Sequence, residues 1–299
     1  MIRQLFFFSL VTIFLAAMPA TYPKTKAKPS TVDMSGTLLI VSYCKDGIIV
    51  ASDSGAYTPE LGRVLTSQKI YQAGKFSVVG FVGTTSLLLV GDTDERKGVV
   101  IFEENLLGRV PDRLDELPSV TAPTHAHRKV TQLIQESVED FFVRTWPIAR
   151  NTEPRHILGV ITTGYEEGQI VLHVTDFYRP VRNPRAVRRN DTTRQVIPQR
   201  FATIPFAIKK TCNELLDGND PALDKSRQIP IVQLYRKRKV NNDLDSFTLT
   251  ETVELARVCL EVTENSGKLL DPDAHQVVPP NWIATITTDR GFEWTLKAR

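Results

Sequence analysis

The chain has 299 residues, 41% hydrophobic and 24% charged, enough to bury a full core as one large domain or two small ones. A net charge of +3 is too small to point to a nucleic-acid partner, and none is expected. Cys44, Cys212 and Cys259 are odd in number and widely spaced, which supports neither a disulfide framework nor a zinc site. Cys44 reads as a strand end and the other two as small core residues.

The N-terminus carries one positive charge, Arg3, and then the apolar run LFFFSLVTIFLAAM over residues 5–18, followed by small residues at Ala16, Ala17 and Ala20. That run is short for a membrane span, which needs about 20 residues. Residues 1–20 are therefore expected to be a cleaved export signal, with an uncleaved signal anchor as the alternative. The compartment implied is periplasmic or secreted, with no membrane association once the signal is removed. Residues 21–36, TYPKTKAKPSTVDMSG, are polar, basic and proline-containing, and read as a linker or pro-segment that contributes little to the fold.

Two strands follow over residues 37–54, joined at Lys45-Asp46-Gly47. A second hairpin spans 69–83, with KIYQ, the turn AGK and FSVVGFVG, ending on a glycine where the backbone needs an unusual angle or a close approach. Residues 84–120 suggest a hairpin insertion with a short helix. The clearest helix covers about 124–145, with Val130, Leu133, Ile134, Val138, Phe141 and Phe142 on one face and Pro147 beyond its end. Residues 155–179 form a hairpin turning at Glu166-Glu167-Gly168. A helix from near Phe206 runs through AIKKTCNELL. Another begins at Thr248, where TLTE is a capping-box pattern, with Leu249, Val253, Ala256 and Leu260 as its apolar face. WIATIT, the turn DRG and FEWTL close the chain as a hairpin. Hairpins dominate, so the fold class is α+β, with largely antiparallel sheets and helices on their faces. No GxGxxG or P-loop pattern is present.

The five histidines, His125, His127, His156, His173 and His275, are scattered, and His125 and His127 stand at a helix start on opposite sides; no metal site is expected. A GxSxG nucleophile elbow is missing. What remains is a set of polar residues at the ends of apolar strands: Thr37, Asp53 and Lys69. An aspartate beside a buried lysine lets both stay charged, and the ammonium raises the local positive potential. A threonine hydroxyl there becomes a nucleophile once a base takes its proton. If the chain is cut before Thr37, the new α-amine, with an ordinary pKa of about 7.7–8.0, is that base. The backbone N–H of Gly83 is then a candidate oxyanion donor. Taken singly, Thr37 is a strand-start residue, Asp53 a turn residue and Lys69 a solvated one; only their joint spacing favours chemistry.

That spacing resembles the proteasome β-subunit family of N-terminal nucleophile (Ntn) hydrolases. The residues that carry the resemblance are GT at 36–37, GIIVASDS at 47–54, QKI at 68–70 and FVGTT at 81–85. It extends more weakly through the hairpin at 157–176, PFAIKKTCNELL, FTLTETVELARVCLEVTENSG and WIATITTDRG. The resemblance implies a four-layer αββα sandwich over 37–299 as a single domain, with insertions near 90–120, 179–200 and 225–245. It implies Thr37 as nucleophile freed by autocatalytic cleavage at Gly36–Thr37, Asp53 and Lys69 as its activating pair, Gly83 as oxyanion donor, and Ser266 in the supporting network. Ala56, Phe81 and Thr85 would line the substrate pocket, with Phe81 making it shallow. The chain would be a threonine-type peptidase acting on peptides or unfolded chains, without metal or organic cofactor, and a homo-oligomeric ring is the assembly to test. The alternative keeps the fold without the chemistry, as a structural or binding subunit.

The sequence departs from the family where FATIP replaces a Ser-Gly pair, leaving Thr203 as the nearest hydroxyl. Thr263 stands at the place of an aspartate, with Glu264 one step off, and Gly55 replaces an arginine. Seven arginines in residues 179–200 read as an exposed loop between strands, with an anionic partner as the sharper alternative, and RKRK at 236–239 is treated alike. Asn190-Asp191-Thr192 fits a glycosylation sequon, meaningful only in a secreted eukaryotic protein.

Overall fold

A computed structural model describes residues 30–33, 37–58, 63–91, 99–149, 153–196, 200–270 and 277–296. The expected export signal and Gly36 lie outside the described residues. In chain order the elements are β1 (Ser30–Asp33), β2 (Leu38–Cys44), β3 (Gly47–Ser52), β4 (Gly55–Thr58), β5 (Arg63–Thr66), β6 (Ile70–Gly74), β7 (Ser77–Gly83), β8 (Ser86–Gly91) and β9 (Val99–Asn105). Then come α1 (Val110–Asp115), α2 (Pro123–Thr145), β10 (His156–Glu166), β11 (Gln169–Tyr178), β12 (Arg188–Val196), β13 (Ala202–Ala207), α3 (Lys210–Leu216), α4 (Pro230–Val240), α5 (Leu249–Ser266), β14 (Trp282–Thr287) and β15 (Gly291–Leu296). Among the described residues every pairing is antiparallel, in two five-stranded sheets ordered β13-β2-β3-β14-β15 and β12-β11-β10-β7-β6, a three-stranded sheet β1-β8-β9, and the pair β4-β5. The fold is α+β.

The two-residue period of a strand explains why the apolar runs of β2, β3 and β7 are unbroken. Leu38 and Ile40 on β2, with Ile49 and Ala51 on β3, pack against α3, α4 and α5. Their neighbours Leu39, Val41, Ile48 and Val50 meet Val78 and Val82 of β7 and Ile161 of β10 in the opposite sheet. On β7 the alternate residues Val79 and Phe81 turn instead to α1 and α2. Each fully buried aliphatic side chain contributes about 1.5–3 kcal/mol, so both faces of these strands hold their register. Tyr43 Oη lies 3.2 Å from Thr163 Oγ1, a polar tie from β2 to β10.

The helix expected at 124–145 is α2, with all six named apolar residues buried. Thr248 caps α5 in the expected box: its hydroxyl accepts from Glu251 N, and Glu251 Oε2 accepts from Thr248 N at 2.9 Å. The two N–H···O bonds from Arg238 to Glu251, with a smaller contribution from Thr248, hold that carboxyl down at about 2. The Leu249 N–H donates to Asp46 Oδ2 at 3.2 Å, so the turn of the first hairpin also holds the start of α5. Leu255, Ala256, Cys259 and Leu260 form the deep stripe of this helix, while Leu249 and Val253 are only partly buried.

Three expectations are corrected. Phe206 lies in β13, not in a helix: the edge of β2 takes residues 202–207 as its partner, and Pro205 is tolerated because β13 is itself an edge strand. The helix begins only at Lys210. The arginine-rich stretch is not all loop, since Arg188–Val196 pairs with β11 along its whole length. Finally, residues 21–36 are not all linker, since Ser30–Asp33 adds a strand to β8. Basic residues of RKRK are bound within the fold, Arg236 to the Gly218 carbonyl, Arg238 to Glu251 and Lys239 to Asp217. Cys44, Cys212 and Cys259 are free and buried. Among the described residues no helix is long and apolar enough to cross a membrane.

Candidate active site

The first hairpin brings Thr37 and Asp53 to one end of the sheet because β2 and β3 pair in register from Leu39–Ser52 to Cys44–Gly47. The Thr37 carbonyl accepts from Ile208 N at 3.2 Å, which fixes the start of β2 against the end of β13. Asp53 follows β3 and is fully buried. Its Oδ1 accepts the Leu38 N–H at 2.8 Å and its Oδ2 accepts the Gly55 N–H at 2.8 Å. The carboxylate therefore holds the residue after Thr37 directly.

Lys69 is also fully buried, just before β6. Its Nζ lies 3.4 and 3.5 Å from the two Asp53 oxygens and donates to the Gly55 carbonyl. Asp53 Oδ1 is thus shared between Lys69 and the Leu38 N–H. Burial pushes the Asp53 carboxyl up, against the pull of Lys69 and of the N–H donors. Burial likewise pulls the Lys69 ammonium down, against Asp53. An ammonium in this position is readier to give up a proton than a solvated lysine.

Gly83 closes β7 at φ +94°, and a Cβ there would meet the Ile157 carbonyl oxygen at 2.5 Å. Only glycine fits that close approach to β10. Thr84 N donates to the same carbonyl at 2.7 Å. Thr85 is buried, and its carbonyl accepts from Leu106 N at 3.0 Å. Ser266 ends α5 half-buried, and Glu264, two residues earlier, has its carboxyl raised by burial, then by Glu261 and Asp53.

Two expected site residues stand elsewhere. Phe81 has no exposed surface and packs edge-on to Tyr71 among the α2-facing residues, so it fills core where a pocket wall was expected. The reason is the pleat: Val82, not Phe81, shares the other face of β7. Thr203 sits opposite Ser42, with their hydroxyls 3.1 Å apart, whereas Ala207 is the residue opposite Leu38. Ala56 belongs to β4, and its side chain lies outside the described residues.

Sequence reasoning passed over several hydroxyls. Ser52 and Ser54 Oγ on either side of Asp53, Ser67 Oγ before Lys69 and Thr84 Oγ1 after Gly83 are buried without a hydrogen-bond partner among the described residues. Buried hydroxyls are normally paired, so each of these is a point where water or a polar ligand can bind. Their adjacency to Asp53, Lys69 and Gly83 was the only available signal.

A second polar cluster lies apart from these residues. A cavity of about 410 Å³ between α2, β11 and β12 is lined by His127, His173, Arg189 and Asp191 among others, and by none of Thr37, Asp53, Lys69 or Gly83. His127 spans Thr162 and Thr175 at 2.9 and 2.8 Å and stacks on His173 with ring centroids 5.2 Å apart. Thr175 donates to Asp191, which also accepts from Arg189 at 3.0 Å. Burial first, then His173, holds His127 down at about 4, with Asp191 opposing and Arg189 adding to the shift. A histidine depressed from 6.5 to about 4 binds its proton in the unfolded chain first, so stability is full above pH 6.5 and lost as pH falls toward 4. The loss from His127 should reach about 3 kcal/mol, and His127→Gln should flatten that slope in urea unfolding measured from pH 7 to pH 4. Among the described residues no group of three or more His, Cys, Asp or Glu is placed to hold a metal ion.

No protein-family profile matches the chain, and no curated protein matches it. Among solved structures it is similar to the Anbu (Gly-1) mutant from Hyphomicrobium sp. strain MC1, with 14% identity and a TM-score of 0.43 over 88% of this chain and 87% of that one. A likeness that distant carries no argument, and the functional reading rests on the geometry above.

Proposed function

We propose that this chain is an exported N-terminal threonine hydrolase of four-layer αββα architecture, which cuts its own Gly36–Thr37 bond and then hydrolyses peptide or amide bonds. The observation that carries the reading is the fully buried Asp53–Lys69 pair clamping the Leu38 N–H, one residue from Thr37. Three apolar clusters, one between the five-stranded sheets and one on the helix-facing side of each, support the architecture. Export rests on the apolar run at residues 5–18.

In the mature chain Thr37 Oγ1 adds to the substrate carbonyl while its α-amine takes the hydroxyl proton and passes it to the leaving amine. Lys69, held by Asp53, supplies positive potential beside the nucleophile. The Gly83 N–H receives the oxyanion, and water then releases the acyl group from Thr37. In the precursor no α-amine is free, so Lys69, once its ammonium has released a proton to solvent, takes the Thr37 proton as a neutral amine while Oγ1 adds to the Gly36 carbonyl, and then passes it to the Thr37 nitrogen. The C–N bond breaks as the Thr37 nitrogen is protonated, and water hydrolyses the resulting ester. Substrates are small peptides or unfolded chains, and a homo-oligomer is compatible with the reading.

One observation favours the alternative, a non-catalytic subunit: Thr37 is only 1% exposed. Turnover of a fluorogenic peptide amide by the purified chain, lost in Thr37→Ala, separates the two. Equal rates for both proteins would remove the hydrolase reading.

A further inference from the structure

β1 is seated on β8 with Ser30 opposite Val90, Thr31 opposite Leu89, Val32 opposite Leu88 and Asp33 opposite Leu87. β8 is the middle strand of its sheet, with β9 on its other edge. All six β8 residues are buried, and Leu87 and Leu89 belong to the cluster under α2. β8 is thus a core strand whose one edge is closed by residues that precede the Gly36–Thr37 bond.

A cut at that bond separates β1 from the rest of the chain covalently but breaks none of these four pairings. Losing β1 would leave a leucine-rich strand with an open row of backbone N–H and C=O groups, the kind of edge that recruits other chains. The position is also informative. Asp33 lies four residues before Thr37, and its partner Leu87 lies four residues after Gly83. β1 and β8 run antiparallel, so β1 heads toward Thr37 along the chain as β8 heads back toward Gly83.

We infer that the β8 edge is a strand-acceptor site whose occupant is this chain's own residues 30–33, and that the cleaved leader stays there as a separate peptide, making the mature protein a two-chain molecule. This rests on the proposed cleavage at Gly36–Thr37. An extended peptide that adds a strand at the β8 edge would compete with the seated leader for it.

The test must not depend on self-cleavage. In the full chain carrying Thr37→Ala, residues 34–36 are replaced by the recognition sequence of a site-specific protease, and the purified protein is cut with that protease. Gel filtration followed by mass spectrometry in denaturant should find the leader fragment co-eluting with the large fragment at one to one. Thr31→Pro with Val32→Pro removes an N–H that faces β8 whichever of the two residues supplies it, and should lower that retention at least tenfold while leaving the large fragment folded. A leader that separates during filtration overturns the inference, as does retention that the double proline variant leaves unchanged. The unaltered chain run beside it reports separately on the cleavage reading. If that chain keeps residues 36 and 37 joined, self-processing fails, while the nicked protein still decides retention.

Discussion

Replacing Lys69 by methionine is expected to destabilise the fold by about 3–5 kcal/mol, because it leaves the Asp53 charge buried without its partner. Asp53 and Lys69 are both fully buried, so bulk water does not replace the ammonium. The two N–H donors at 2.8 Å retain part of the compensation, but they do not neutralise a charge. Asp53→Asn together with Lys69→Met removes both charges at similar volume and should recover most of that loss, since replacing a buried ion pair by neutral groups is often close to neutral. Urea unfolding of the parent and the two variants measures this directly. Stability and chemistry separate here: the double variant should fold nearly as well as the parent and still show no turnover. A double variant as unstable as Lys69→Met would mean that the pair is not what organises this end of the sheet.

Thr37→Ala should reduce peptide-amide turnover by roughly 10⁶-fold, the scale seen when a catalytic nucleophile is removed, and leave stability within about 1 kcal/mol. The side chain is buried but small, and the backbone bonds that fix residue 37 are independent of its hydroxyl. Thr37→Ser keeps the hydroxyl and should keep a measurable rate. If serine and alanine behaved alike, the hydroxyl would not be the reacting group, whatever the fate of the leader.

How far these features were legible differs by residue. The hairpins showed through their turn chemistry, Lys45-Asp46-Gly47 and Glu167-Gly168, where φ at Glu167 and Gly168 is positive. α2 showed through its 3.6-residue stripe and α5 through the Thr248–Glu251 box, both local signals. The spacing of Thr37, Asp53 and Lys69 was readable, and the structure ties Asp53 both to Lys69 and to the residue following Thr37. β1, β12 and β13 were not readable, because Ser-Thr-Val-Asp, Arg-Arg-Asn-Asp-Thr-Thr and Ala-Thr-Ile-Pro carry no marked apolar period. Each is a strand because a neighbour has an edge to fill, a long-range cause that sequence pattern does not record. Phe81 was misplaced for a related reason. A residue's distance along a strand from Gly83 says which face it occupies, but not whether that face meets a pocket or a helix.

The proposed chemistry requires a working chain that begins at Thr37. Intact-mass measurement in denaturant, with N-terminal sequencing of the purified protein, tests it most directly. The expected result is a large fragment of residues 37–299 with a free threonine amine, absent in Thr37→Ala. A folded protein in which residues 36 and 37 remain joined would contradict it.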